Sequence, residues 1–72
     1  MSVKFAIKKT YVSGPHAGKE YICTKGGYVR CITDTLLPDD LYTSPQGAAI
    51  AMSRFAKYYP EARFEIIKKY FN

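Results

Sequence analysis

An α+β domain of order βββαβ, with a four-stranded, mostly antiparallel sheet and one helix packed on one face, is predicted by three features of the sequence. Residues 3–12 and 62–71 alternate apolar and polar side chains with a period of two, as half-buried strands do. Gly26-Gly27 separates two stretches rich in β-formers. Ser44-Pro45 opens an alanine-rich stretch of helical spacing that Pro60 closes. A helix laid across a small sheet buries both apolar stripes.

The first strand points Val3, Phe5 and Ile7 one way and Lys4, Ala6 and Lys8 the other. Lys9 interrupts the pattern and Tyr11 restores it. Ser13-Gly14-Pro15-His16-Ala17-Gly18 is dense in turn formers and reads as an open loop. Residues 20–25 and 28–33 form the hairpin, because a two-residue turn needs the positive φ that glycine tolerates. In that register Lys25 faces Tyr28, Cys23 faces Arg30 and Ile22 faces Cys31. One face then holds Ile22, Thr24, Val29 and Cys31. The other holds Tyr21, Cys23, Lys25, Tyr28, Arg30 and Ile32. The cysteines fall on opposite faces and cannot bond; a three-residue turn with a bulge is expected to slip them into direct opposition.

Residues 34–43 are a connection whose Leu36, Leu37 and Leu41 are too apolar for a free loop, so some of them should close the core. Ser44 as cap, or Thr43 with Gln46 as a capping box, starts a helix that runs to Tyr58 or Tyr59, with Pro45 at its first position in the first case. Ala48, Met52, Phe55 and Tyr59 make its core stripe, flanked by Ala49, Ala51 and Ala56. In the last strand Phe64, Ile66 and Tyr70 share one face, and Arg63, Glu65, Ile67, Lys69 and Phe71 the other. It is expected beside the first or third strand through a right-handed crossover.

Composition bounds the function. Seventy-two residues make one domain, spanning 1–72. A hydrophobic fraction of 47% argues against disorder. No apolar run approaches the ~20 residues that cross a bilayer. Met1-Ser2-Val3-Lys4 lacks a signal peptide's apolar core, so the expected compartment is the cytosol, where Cys23 and Cys31 stay reduced. The net charge is +5, divided as +5 over residues 1–33, −3 over 34–43 and +3 over 44–72. A basic body with one acidic loop presents an oriented surface.

Catalytic equipment is sparse. His16 is the sole histidine, set in a glycine-proline loop without convergent partners. Asp34, Asp39 and Asp40 match no calcium-loop spacing, and two cysteines alone make no zinc pattern. Residues 13–19 echo a phosphate-binding loop but lack its second glycine spacing, its Lys-Ser/Thr ending and a following helix. No enzyme activity, cofactor or metal is expected. What remains is a surface. Tyr21, Lys25, Tyr28 and Arg30 interleave rings with cations, a mixture that stacks bases and neutralises phosphates or anchors a protein partner. On the helix, Ile50 stands between Gln46, Arg54 and Lys57 as an apolar anchor beside two cations.

The second half resembles small phage and mobile-element accessory proteins. Thr43-Ser44-Pro45 starts an Ala-rich helix, Tyr59-Pro60 stops it, and Phe64-Glu65-Ile66 begins a strand, all after a β-hairpin. The resemblance implies a small inhibitor of host defence or of host enzymes, a group that includes anti-CRISPR proteins. Many such inhibitors are acidic mimics of DNA; the +5 charge departs from that and favours an acidic protein surface, a guide RNA or DNA. The expected protein is therefore a non-enzymatic accessory protein that binds a host protein or ribonucleoprotein complex. Its contact residues are Tyr21, Lys25, Tyr28, Arg30, Ile50, Arg54 and Lys57. The alternative is a small basic nucleic-acid-binding module. Open sheet edges also invite self-association.

Overall fold

The computed structural model describes residues 2–72; Met1, the first residue of the segment read above for an export signal, lies outside them. Strands β1 (Ser2–Tyr11), β2 (Glu20–Cys23) and β3 (Val29–Cys31) precede a helix, α1 (Pro45–Tyr58), and strand β4 (Ala62–Phe71) closes the chain. The sheet order is β3-β2-β1-β4, and every neighbouring pair is antiparallel. The α+β architecture read from the alternation is the one observed. Because β4 runs antiparallel to its neighbour β1, the handedness rule for parallel crossovers does not govern its connection. Among the described residues, no helix is long and apolar enough to cross a membrane.

Two small cores lie on either side of the sheet. On the helix side, Ile7, Cys23 and Ala48 are fully enclosed, and Phe5, Met52, Phe55, Phe64 and Ile66 pack around them. On the far side, Ala6, Ile22 and Leu41 are enclosed beneath Leu36, Ile67 and Phe71. The acidic connection, which includes a short 3-10 turn at Pro38–Asp40, thus covers the sheet face that the helix leaves open. It reaches that place by pairing with β1. Phe5 and Tyr42 exchange both backbone hydrogen bonds at 2.8 Å, continuing the line of β2 beyond Cys23. Leu41 and Leu36 close the core, whereas Leu37 is exposed.

The helix begins as its residues dictate. Ser44 Oγ accepts the Gly47 N–H at 3.1 Å, and Pro45 occupies the first turn, where an N–H is not needed. Pro60 follows the last turn, and the Tyr59 N–H donates to the Phe55 carbonyl at 3.0 Å.

The hairpin departs from the expected register. The structure pairs Cys23 with Val29, Ile22 with Arg30 and Tyr21 with Cys31, one residue away from the two-residue-turn pairing. The turn holds three residues, Lys25-Gly26-Gly27. The Gly27 N–H donates to the Thr24 carbonyl at 3.2 Å, and the Thr24 N–H to the Tyr28 carbonyl at 2.9 Å. Both glycines take positive φ, 90° and 85°. Lys25 leaves the ladder because its N–H donates to the Asp40 carbonyl at 2.8 Å. A slip of one residue moves every side chain of one strand to the other face. Tyr21 and Cys23 therefore share a face with Val29 and Cys31, and Tyr28 and Arg30 share the opposite face with Ile22.

The slip also runs against the direction expected of a three-residue turn. Cys31 faces Tyr21, not Cys23, and both thiols are free. Cys23 is buried, which pushes its thiol pKa up, although neighbouring Lys9 opposes the shift; Cys31 is exposed. Alkylation of the native protein is expected to modify exposed Cys31 much faster than Cys23, which becomes fully reactive only on unfolding. Equal labelling rates at the two sites would contradict the buried placement of Cys23.

Candidate functional site

Helix α1 lies over β1 and β4 and reaches Cys23 of β2, leaving β3 and the hairpin turn exposed. Between the helix and the hairpin turn an open groove of about 460 Å³ remains. Gly47, Ile50, Arg54 and Tyr58 line its helix wall, four positions that recur every three or four residues. Gly26 and Gly27 form the facing wall, and Tyr42, Phe55 and Tyr59 also line it. The glycine wall is thin by necessity. A side chain at Gly26 would meet the Tyr28 ring at 3.2 Å and would strain a backbone at φ 90°.

The groove is apolar with one cation. Ile50 is 59% exposed and Tyr58 77% exposed, so two large side chains face solvent on the same wall. Among the described residues, Arg54 is the one charged residue in the lining, and no carboxylate belongs to it. Burial pushes the Tyr42 phenol above its ordinary pKa, with Cys23 adding to the shift, so it stays a neutral donor at physiological pH.

The residues expected to make contact divide into three groups. Ile50 and Arg54 are brought together in the groove. Lys25, Tyr28 and Arg30 are exposed around and just beyond the hairpin turn, and Lys57 is exposed on α1 without lining the groove. Tyr21 is displaced from the others. The register turns it to the helix side of the sheet, where it is half-buried and meets the Tyr11 ring edge-on at 5.9 Å. A single outward face carrying Tyr21 with Tyr28 and Arg30 is thus corrected by the three-residue turn.

Tyr21 instead belongs to a cluster that the alternation pattern hid. Lys9, on the helix side of β1, is only 2% exposed. Its ammonium stands 3.7 Å from the centre of the Tyr59 ring, 5.0 Å from Tyr11 and 5.6 Å from Tyr21. Three electron-rich faces replace much of its hydration. Tyr59 also lines the groove, so the cage holds part of the groove wall against the sheet. Tyr58 was missed as well, although Ile50, Arg54 and Tyr58 at successive spacings of four mark one helix stripe.

Several other polar residues have local contacts. His16 is exposed, with its ring 5.6 Å from that of Tyr11. Asp34 accepts the Cys31 N–H at 3.0 Å, a turn-forming role. Lys8 and Glu20 pair at 2.9 Å, and this hydrogen bond, more than the accompanying charge attraction, raises the Lys8 pKa. Among the described residues, no three His, Cys, Asp or Glu side chains gather where they could hold a metal ion. No protein-family model, curated protein or solved structure matches the chain. The site's own chemistry therefore carries the functional reading.

Proposed function

We propose that this chain works by binding: a small non-enzymatic accessory inhibitor of viral type that occupies a host macromolecular complex through the groove between α1 and the hairpin turn. The observation that carries the reading is the side-by-side exposure of Ile50 and Tyr58 around Arg54 in an open cleft. Aromatic and arginine side chains in such clefts anchor partners, and adjoining exposed apolar groups cost least when something covers them. The layout shared with small phage proteins supports the inhibitor part of the reading, and the cytosol is the compartment it implies.

A second reading, a basic nucleic-acid-binding module, is favoured by the exposure of Lys25, Tyr28 and Arg30 at one end of the hairpin. The two are separated by one capture experiment from lysate, with and without nuclease. Under the first reading, Ile50→Asp and Arg54→Glu each weaken nuclease-resistant capture at least tenfold, about 1.4 kcal/mol, with an unchanged circular dichroism spectrum. Capture that survives both substitutions removes the groove. Under the second reading, single-stranded RNA or DNA shifts in a gel at low salt and is released as salt rises, and Tyr28→Ala with Arg30→Ala abolishes the shift.

A further inference from the structure

The sheet ends on one side in β4, which pairs with β1 along its whole length and, among the described residues, with no strand on its other side. The phase of the backbone shows what that edge presents. On β1, Phe5 bonds Tyr42 and the Tyr11 N–H donates to the Lys19 carbonyl, both on the β2 side, whereas the Val12 N–H donates to Glu61 on the β4 side. Even-numbered β1 residues therefore bond β4, and their partners are the odd-numbered residues of β4. Phe64, Ile66, Lys68 and Tyr70 are left with N–H and C=O directed outward. No proline or bulge interrupts this edge, and an open edge of this length is a template for another strand despite its charges.

We infer that this edge pairs antiparallel with the same edge of a second copy, across a two-fold axis, so that one sheet runs through both molecules. Outward-directed residues must meet one another, so only registers pairing even with even positions are allowed. That places both helices on the same face of the joined sheet. Two such registers use nearly the full strand. The one centred on Ile66 sets Arg63 against Lys69 of the second copy, and like charges directly opposed are unfavourable. The one centred on Ile67 sets Glu65 against Lys69, Phe64 against Tyr70 and Arg63 against Phe71, each contact occurring twice by symmetry. Every cross-strand pair in this second register is neutral or complementary.

Two features of the single chain fit this occupant. Lys69 lies directly opposite Lys4, while the ion pair among the described residues is Lys8 with Glu20. Glu65 of the second copy reaches the other side of Lys69 and offsets that repulsion. Above the edge, the flank of α1 turned away from the groove carries Ala49, Ser53 and Ala56, all exposed. These small side chains leave room for the two helices to approach on the shared face.

The test is sedimentation of the full chain from micromolar to millimolar concentration. The native protein is expected to dimerise in this range, and a monomer throughout overturns the inference. Glu65→Lys and Lys69→Glu are each expected to sediment as monomers where the native chain is dimeric. Mixed together they restore both charge pairs, so the mixture is expected to dimerise; two folded variants that stay monomeric when mixed refute the register. Lys68→Pro removes an outward N–H without touching the β1 ladder. It is expected to abolish the dimer while leaving the circular dichroism spectrum unchanged, and a dimer that survives it excludes this edge.

Discussion

Replacing Lys9 with glutamate is expected to destabilise the fold by about 3 kcal/mol, since the new charge would be buried without a partner. The ammonium sits 3.7 Å from the Tyr59 ring centre, with Tyr11 and Tyr21 completing the cage. A ring face carries the negative part of the aromatic quadrupole, so it attracts the ammonium and repels a carboxylate. Desolvation magnifies both effects, because the residue is 2% exposed. For a domain of this size the loss corresponds to a fall in melting temperature of roughly 12–24 °C. Lys9→Met keeps the buried stem and removes only the charge, so its cost is expected to be smaller, about 1–2 kcal/mol. Thermal melts of the three proteins order them native, methionine, glutamate. A glutamate variant that melts within a few degrees of native would show that the cage contributes nothing.

The second large effect separates two leucines in one loop. Leu41 is 1% exposed against Ala6 and Ile22, whereas Leu37 is 61% exposed. Leu41→Ala removes a fully packed side chain and leaves a cavity that two rigid strands cannot collapse, at a cost of about 2–5 kcal/mol. Leu37→Ala is expected to fall within about 0.5 kcal/mol of native. Denaturant unfolding of the two variants gives the comparison directly. A loss at Leu41 no greater than that at Leu37 would mean that the acidic connection does not seal the far side of the sheet. Leu41 adjoins the Phe5–Tyr42 pairing, so its loss is also expected to weaken capture through the groove that Tyr42 lines.

Much of the fold was legible in the chain. The alternations in β1 and β4 assigned their faces, since Phe5 and Ile7 with Phe64 and Ile66 do pack together on the helix side. Ser44, Pro45 and Pro60 marked the helix ends because capping and the missing proline N–H act within a single turn. The candidate site was legible only in part. Ile50 and Arg54 stood out as an apolar residue beside a cation, and both line the groove. Gly26 and Gly27 announced a turn but not that the turn would become a groove wall. Lys9 was an interruption in a pattern, because alternation scores a lysine as outward whatever lies above it.

The amino-acid order by itself determined the element sequence, the faces of the two long strands and the limits of the helix. Each rests on interactions among residues close in the chain, or on a period carried by the chain itself. Tertiary structure decided the rest. The hairpin slipped by one residue because the Asp40 carbonyl, from a distant loop, captured the Lys25 N–H. Lys9 became buried because Tyr59, fifty positions away, folded over it. The groove exists because α1 covers β1, β4 and Cys23 but leaves the hairpin turn exposed. In each case the deciding partner is far away in sequence, where neither propensity nor periodicity carries any information about it.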